Sequence, residues 1–248
     1  MPSAPRGDAS ITAVARFEKA LERDPGSIGA RASLALALSD RVLDQMSDSA
    51  TVDLARAEML VEQALSAAPR HALAHFAKGQ ILRAQNRFEA AIPAYEAAVA
   101  LERDWAPVLA ALGHCKFLAG AIGEAIPAQE QAIRRRPRDR RIANWHWRIG
   151  MVHLLQSRTD TAVRWLEKAR RLNPGLPGPR AWLASAYALQ GYSQQASTEL
   201  AEARRLSRDG RYASLAHHQV AQSFGEPNRS LIEQTFHAGL RRVGVPDT

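Results

Sequence analysis

His75 to Asp104 reads HFAKGQILRAQNRFEAAIPAYEAAVALERD, and Leu109 to Asp139 reads LAALGHCKFLAGAIGEAIPAQEQAIRRRPRD. Laid over one another in a single phase, Gly79 falls on Gly113, Ala91 on Ala125, Ile92 on Ile126, Pro93 on Pro127 and Ala98 on Ala132, every pair 34 residues apart. A fixed period of this length marks an array in which each unit is one supersecondary element that hides its apolar face only against a neighbour. The matched small residues are the places where two antiparallel helices touch. Gly79 and Gly113 let the first helix of a pair approach the second, and Ala91 and Ala125 answer from the partner helix.

Downstream the phase continues after a three-residue insertion through Gly150, Ala162, Leu166, Ala169 and Pro174, then 34 residues on through Ala184, Tyr187, Ala196, Leu200 and Ala203. Upstream it runs through Ala57, Val61, Ala64 and Pro69, whose first helix is RASLALALSDRVLDQ (31–45). That pair is spread about ten residues wider than the others, and MSDSATVD (46–53) reads as a longer loop or an extended first helix, with Ser and Asp able to cap a helix start. Ala13, Phe17, Ala20 and Pro25 repeat the second-helix pattern once more. A helix from Ile11 to Arg23 is thus expected as half a repeat, either capping the array or cut from something longer.

The pattern resembles the tetratricopeptide-repeat (TPR) family, with small residues at repeat positions 8, 20 and 27, a bulky one at 24 and proline near 32. The resemblance implies an all-α fold: a right-handed α-α superhelical solenoid of helix pairs with an extended concave face. On this reading residues 1–27 are an N-terminal tail and half repeat, and 28–71 a repeat with a long internal loop. Residues 72–105, 106–142, 143–176 and 177–210 are further repeats, and 211–248 form capping helices. In that last segment Ser230 and Glu233 match a capping box, Leu231, Ile232, Phe236 and Leu240 make an apolar stripe, and Gly244 with Pro246 ends the helix. His217, His218, Arg241 and Arg242 suit the polar outer face that a terminal unit needs. The stretches 39–65, 149–177 and 181–191 also look like the C-terminal TPR region of bacterial class III adenylate/guanylate cyclases. That resemblance implies a regulatory region and an upstream catalytic domain, for which these 248 residues have no room.

Composition limits the remaining classes. With 46% hydrophobic and 23% charged residues the chain can bury a core, and no long apolar run reads as a membrane span. MPSAPRGDAS at the start lacks the apolar segment of a signal peptide, so a cytoplasmic location is expected. The net charge of +8 invites nucleic acid, but only Lys19, Lys78, Lys116 and Lys168 are lysines and the many arginines sit singly along helix faces. Diffuse charge of this kind serves solubility, so nucleic acid is not the expected partner. There is no HExxH, GxxxxGK[ST], GxGxxG or GxSxG. His71 and His75 lack the third ligand of a zinc site, and Cys115 falls inside a packed first helix, where a small buried residue is expected rather than a nucleophile. The expectation is a non-catalytic protein with no cofactor and no metal.

Function then belongs to the surface. In the family, first-helix positions 2, 5, 9, 12 and 13 line the concave face, and carried over here they include Phe76, Gln80, Arg83, His114, Phe117, Asn144, Trp147, Met151 and Ser185. Chaperone-binding TPR domains hold a peptide carboxylate with a Lys, Asn and Arg clamp. The aromatic, nearly neutral set here instead suits an apolar helix or extended segment of a partner protein, where aromatic anchors dominate. Two other readings stay open: some of these residues are inter-repeat core, or Leu231, Ile232, Phe236 and Leu240 fill the groove in cis. The dense charge is RRRPRDRR, where Arg134, Arg135, Arg136, Arg138, Arg140 and Arg141 read as a solvated helix end or as an anion patch, since guanidinium forks grip carboxylate and phosphate bidentately.

Overall fold

Every regular element among the described residues of the computed structural model is helical. The structure describes residues 6–207, 209–221 and 225–248, with side chains from residue 12 onward apart from 219–221. In order these are α1 (Arg6–Arg23), α2 (Ile28–Leu43), α3 (Ala50–Ala67), α4 (Ala72–Ala84), α5 (Phe88–Leu101), α6 (Ala106–Leu118), α7 (Ile122–Arg135), α8 (Ile142–Leu155), α9 (Thr159–Leu172), α10 (Pro177–Leu189), α11 (Ser193–Leu206) and α12 (Leu215–Ala221). A last helix follows as a 3-10 turn (Glu226–Asn228), α13 (Arg229–Ile232), a π-helical turn (Glu233–His237) and α14 (Ala238–Arg242). The chain divides into two compact units, Met1–Cys115 and Lys116–Thr248.

In the first unit α2 packs on α3 and α4 on α5, with α1 laid against α2. Val14, Leu34, Leu38, Leu60, Val61 and Ile81 form one buried cluster there. Gly79 is needed for the approach of α4 to α5, because a Cβ on it would lie 2.5 Å from the Tyr95 ring. Ser27 caps α2 by accepting from the Ala30 amide at 3.3 Å, and His71 Nδ1 caps α4 by accepting from Ala74 at 3.2 Å. These bonds satisfy amides that have no partner inside the helix. The wide first pair resolves both ways at once: α2 runs to 16 residues and α3 to 18, and the connection 44–49 is longer than the turns inside the other pairs. Ser49 makes no side-chain cap. The connection is tied by Asp53, which accepts from Arg41 Nε and Nη2, each at 2.9 Å, and from Ser47 Oγ at 2.6 Å.

In the second unit α8 packs on α9, α10 on α11, and α10 also on α9. A Cβ on Gly150 would lie 2.6 Å from Leu166, so the glycine again sets the helix spacing. Ala162, Ala169, Ala196 and Ala203, the residues that carried the repeat phase, are fully buried. The turns inside pairs share a conformation as well as a place. Asn86, Gly120, Ser157 and Gly191 all have positive φ, at 59°, 87°, 58° and 86°, where glycine is unstrained and asparagine tolerable while serine bears a steric cost.

The last helix begins earlier than its capping-box signature places it. Gly225 takes φ 71° and Pro227 sits in the first turn, so Ser230 and Glu233 are already inside the helix. Ser230 Oγ accepts from Gln234 at 3.0 Å, while Glu233 pairs with His237 and Arg241. His218 is not on the outer face either: it is fully buried, with Nδ1 hydrogen-bonded to His237 Nε2 at 3.2 Å.

Candidate functional site

The first-helix residues fall in two sets, one in each unit. In the first unit Phe76 is buried between Tyr95, at 6.0 Å between ring centroids, and Trp105, edge-on at 5.2 Å. Gln80 donates to Asp40 at 2.6 Å and accepts from the Tyr95 hydroxyl at 2.7 Å, a polar chain joining α2, α4 and α5. Arg83 and His114 are half-buried, and the Arg83 Nε is enclosed with no hydrogen-bond partner. Cys115 is fully buried and donates to the Phe88 carbonyl at 3.3 Å. Burial raises its thiol to about 12, so no thiolate is available near neutral pH.

In the second unit Phe117 and Met151 are buried, and Asn144 and Trp147 half-buried. The Trp147 indole occupies the space a side chain on Gly178 would need, so it packs against the start of α10. Ser185 is fully buried and donates to the Phe236 carbonyl at 2.9 Å. These contacts come from the last helix, which is seated on α10 and touches α8. Phe236 stacks on Trp182, centroids 4.2 Å apart and planes 19° from parallel. Gly239 passes so close to Ser185 that a Cβ would come within 2.5 Å of the Ser185 carbonyl oxygen. Asn228 Nδ2 donates to the Phe117 carbonyl at 2.6 Å, Gly225 abuts the Leu118 carbonyl and Pro227 abuts Gly120. Ile232, Phe236 and Leu240 are buried by this seating, and Leu231 half-buried. Trp182, Asn228 and Gly239 escaped the sequence reading. The signal was a small residue on an apolar stripe, which has no local signature of what it meets.

His146 and His153 on α8 are buried, and His146 lies against Trp165 at 5.1 Å. Burial, helped by the Lys168 charge, lowers the His146 pKa to about 4, so the ring is neutral at pH 7. The unfolded chain takes up that proton near pH 6.5 and the folded one near 4. Its share of stability is therefore full above about pH 6.5 and is lost as pH falls toward 4. Urea unfolding at pH 5 is expected to show about 2 kcal/mol less stability than at pH 7 from this residue, with His218, lowered to about 3 by burial, acting in the same direction. His146→Phe should flatten part of that slope, and an unchanged slope would refute the assignment.

The arginine run ends α7 and makes the turn after it. Arg134, Arg135, Arg136, Arg138, Arg140 and Arg141 are all exposed. Arg134 has Glu130 at 3.8 Å, and Asp139 accepts from the Arg141 amide and Nε. Hydrogen bonds and charge from Arg141 outweigh burial and hold the Asp139 carboxyl below its usual range. Among the described residues no group of three or more His, Cys, Asp or Glu side chains could hold a metal ion, and no helix is long and apolar enough to cross a membrane.

A family model for the tetratricopeptide repeat matches residues 52–106 and 118–177. The helix pairs within those residues are thus similar to tetratricopeptide repeats. Solved TPR structures share the fold at low identity. YrrB, a TPR protein with an unusual peptide-binding site, is 19% identical over 83% of this chain and 98% of its own, with a TM-score of 0.57. PilF of Pseudomonas aeruginosa is 17% identical over 88% and 93%, at 0.64. MamA is 20% identical over 68% and 93%, at 0.57. No curated protein matches the chain in sequence.

Proposed function

We propose that this protein is a non-catalytic TPR scaffold whose first-helix faces take an apolar helix or extended segment of a partner protein. The observation that carries the reading is the last helix itself. In the second unit a first-helix face already holds a helix by an aromatic stack, a small-residue contact at Gly239 and a side-chain bond to backbone. A face that accepts one helix through aromatic anchoring and helix-in-groove geometry has the chemistry to accept another. The peptide-binding site of the structurally similar YrrB agrees with it.

Phe76, Phe117 and Met151 are packed into the fold, so alanine there removes core contacts together with any groove contact. The half-buried residues are the better probes. The triple variant Arg83→Ala, His114→Ala and Asn144→Ala is expected to keep the helicity of the wild type and to lose a protein that the intact chain captures from host lysate. Identical captured sets, with equal helicity, would overturn the proposal. The cyclase resemblance of residues 39–65, 149–177 and 181–191 supports a second reading, in which the same faces are regulatory and an upstream reading frame encodes a cyclase catalytic domain.

A further inference from the structure

The charge of the chain is divided by unit. Up to Cys115 there are 12 basic and 14 acidic residues, and from Lys116 onward 21 basic and 11 acidic. The whole of the net charge of +8 thus belongs to the second unit. Its arginines are placed by the repeat. Ala132, Ala169 and Ala203 are the fully buried contact residues of α7, α9 and α11, and two residues after each stands an arginine: Arg134, Arg171 and Arg205, with side chains 68%, 63% and 68% exposed. The turn after α7 adds the exposed Arg136 and Arg138.

Complementing the helix dipole does not account for this, because in the first unit the second helices of both complete pairs, α3 and α5, carry no basic residue in their last turns, and among second helices there only the half-repeat helix α1 has one, Arg23. The fold builds such helix ends without arginine. We infer that the arginine-bearing ends of α7, α9 and α11 dock an acidic segment of a partner protein. This inference rests on the scaffold reading and adds a second surface to it.

The observations favour a protein segment over a phosphate backbone on three grounds. Arg134, Arg171 and Arg205 each have a carboxylate about one turn back on their own helix, Glu130, Glu167 and Glu202. A duplex carries a charge about every 1.7 Å and would lie over those carboxylates, whereas a peptide can place its acids at the arginines alone. The arginines also crown helix C-termini, whose free carbonyls oppose dense negative charge, while phosphates are usually met at N-termini. Finally, Leu172 is 47% exposed beside Arg171 at the end of α9, an apolar anchor with use for a leucine-bearing acidic peptide and none for phosphate.

The test is fluorescence anisotropy of the full chain with a labelled 20-residue Glu/Asp-rich peptide carrying two leucines, in competition with a 20-base-pair DNA duplex. Binding is expected at 50 mM salt and should weaken as salt rises to 200 mM. Arg136→Glu with Arg138→Glu should weaken it about tenfold, and Leu172→Ala about fivefold, in variants whose thermal melts match the wild type. No peptide binding, indifference to all three substitutions, or a duplex that displaces the peptide and ignores Leu172 would each overturn the inference. The scaffold reading is tested apart from it, since Arg83, His114 and Asn144 lie on first helices and the arginines on second helices and the turn between. Loss of one readout with the other intact identifies which proposal has failed.

Discussion

Phe236→Ala is expected to lower the unfolding free energy by about 3–5 kcal/mol, the usual cost of truncating a fully buried aromatic side chain. Phe236 has no exposed surface and touches three rings, Trp182 at 4.2 Å, His218 at 4.8 Å and His237 at 5.7 Å. Its truncation leaves a cavity that Gly239 and Ser185 cannot close, because backbone already meets side chain there without slack. The measurement is urea unfolding followed by tryptophan fluorescence, to which the stacked Trp182 contributes as one of five tryptophans. The midpoint should fall sharply, while Leu231→Ala, at a half-buried position of the same helix, should lower it much less. A double-mutant cycle with Trp182→Ala isolates the stack, since contacting residues are non-additive. An unchanged midpoint for Phe236→Ala would mean that the last helix is not held by this seat.

That seat shows what the sequence could and could not disclose. The helix pairs were legible because close helix contact leaves room only for small side chains, and Gly79, Gly150, Ala162 and Ala196 therefore recur in phase and prove buried. Gln80 read as a groove residue by position, yet it bridges Asp40 and Tyr95. Polar bridges of this kind join residues far apart in the chain and leave no period to detect. The start of the last helix went astray because a Ser-x-x-Glu spacing is also met inside helices. The turn at Gly225, set by positive φ and the contact with Leu118, decided the start instead. The apolar stripe at Leu231, Ile232, Phe236 and Leu240 was plain in the sequence, but its target was not, since any first-helix face offers a similar apolar surface.

The second large effect is expected at Glu199, a buried carboxylate with two guanidinium partners. Arg170 from α9 pairs with one of its oxygens and Arg180 from α10 with the other, at 2.9 Å for Arg180, so one residue of α11 ties three helices together. Glu199→Ala would leave two neighbouring cations with no anion between them, and breaking such a buried pair costs about 3–5 kcal/mol. The lower end of that range is expected here because the Arg170 side chain keeps 28% exposure and can turn to water. Urea unfolding should show the loss, and added salt should recover little of it, because buried charges are weakly screened. Replacing all three residues by leucine or methionine separates lost attraction from stranded charge. If the cost is stranded charge, the triple apolar variant should regain most of the stability; if it stays as unstable as Glu199→Ala, packing around the carboxylate was the larger part. The same ion triad fixes the end of α9, where Arg171 and Leu172 stand. Glu199→Ala removes one negative charge and frees Arg170 beside that end, so where the chain is fully folded it should not weaken acidic-peptide binding, and a loss there would show that the order of the α9 end, not its charge, carries the docking.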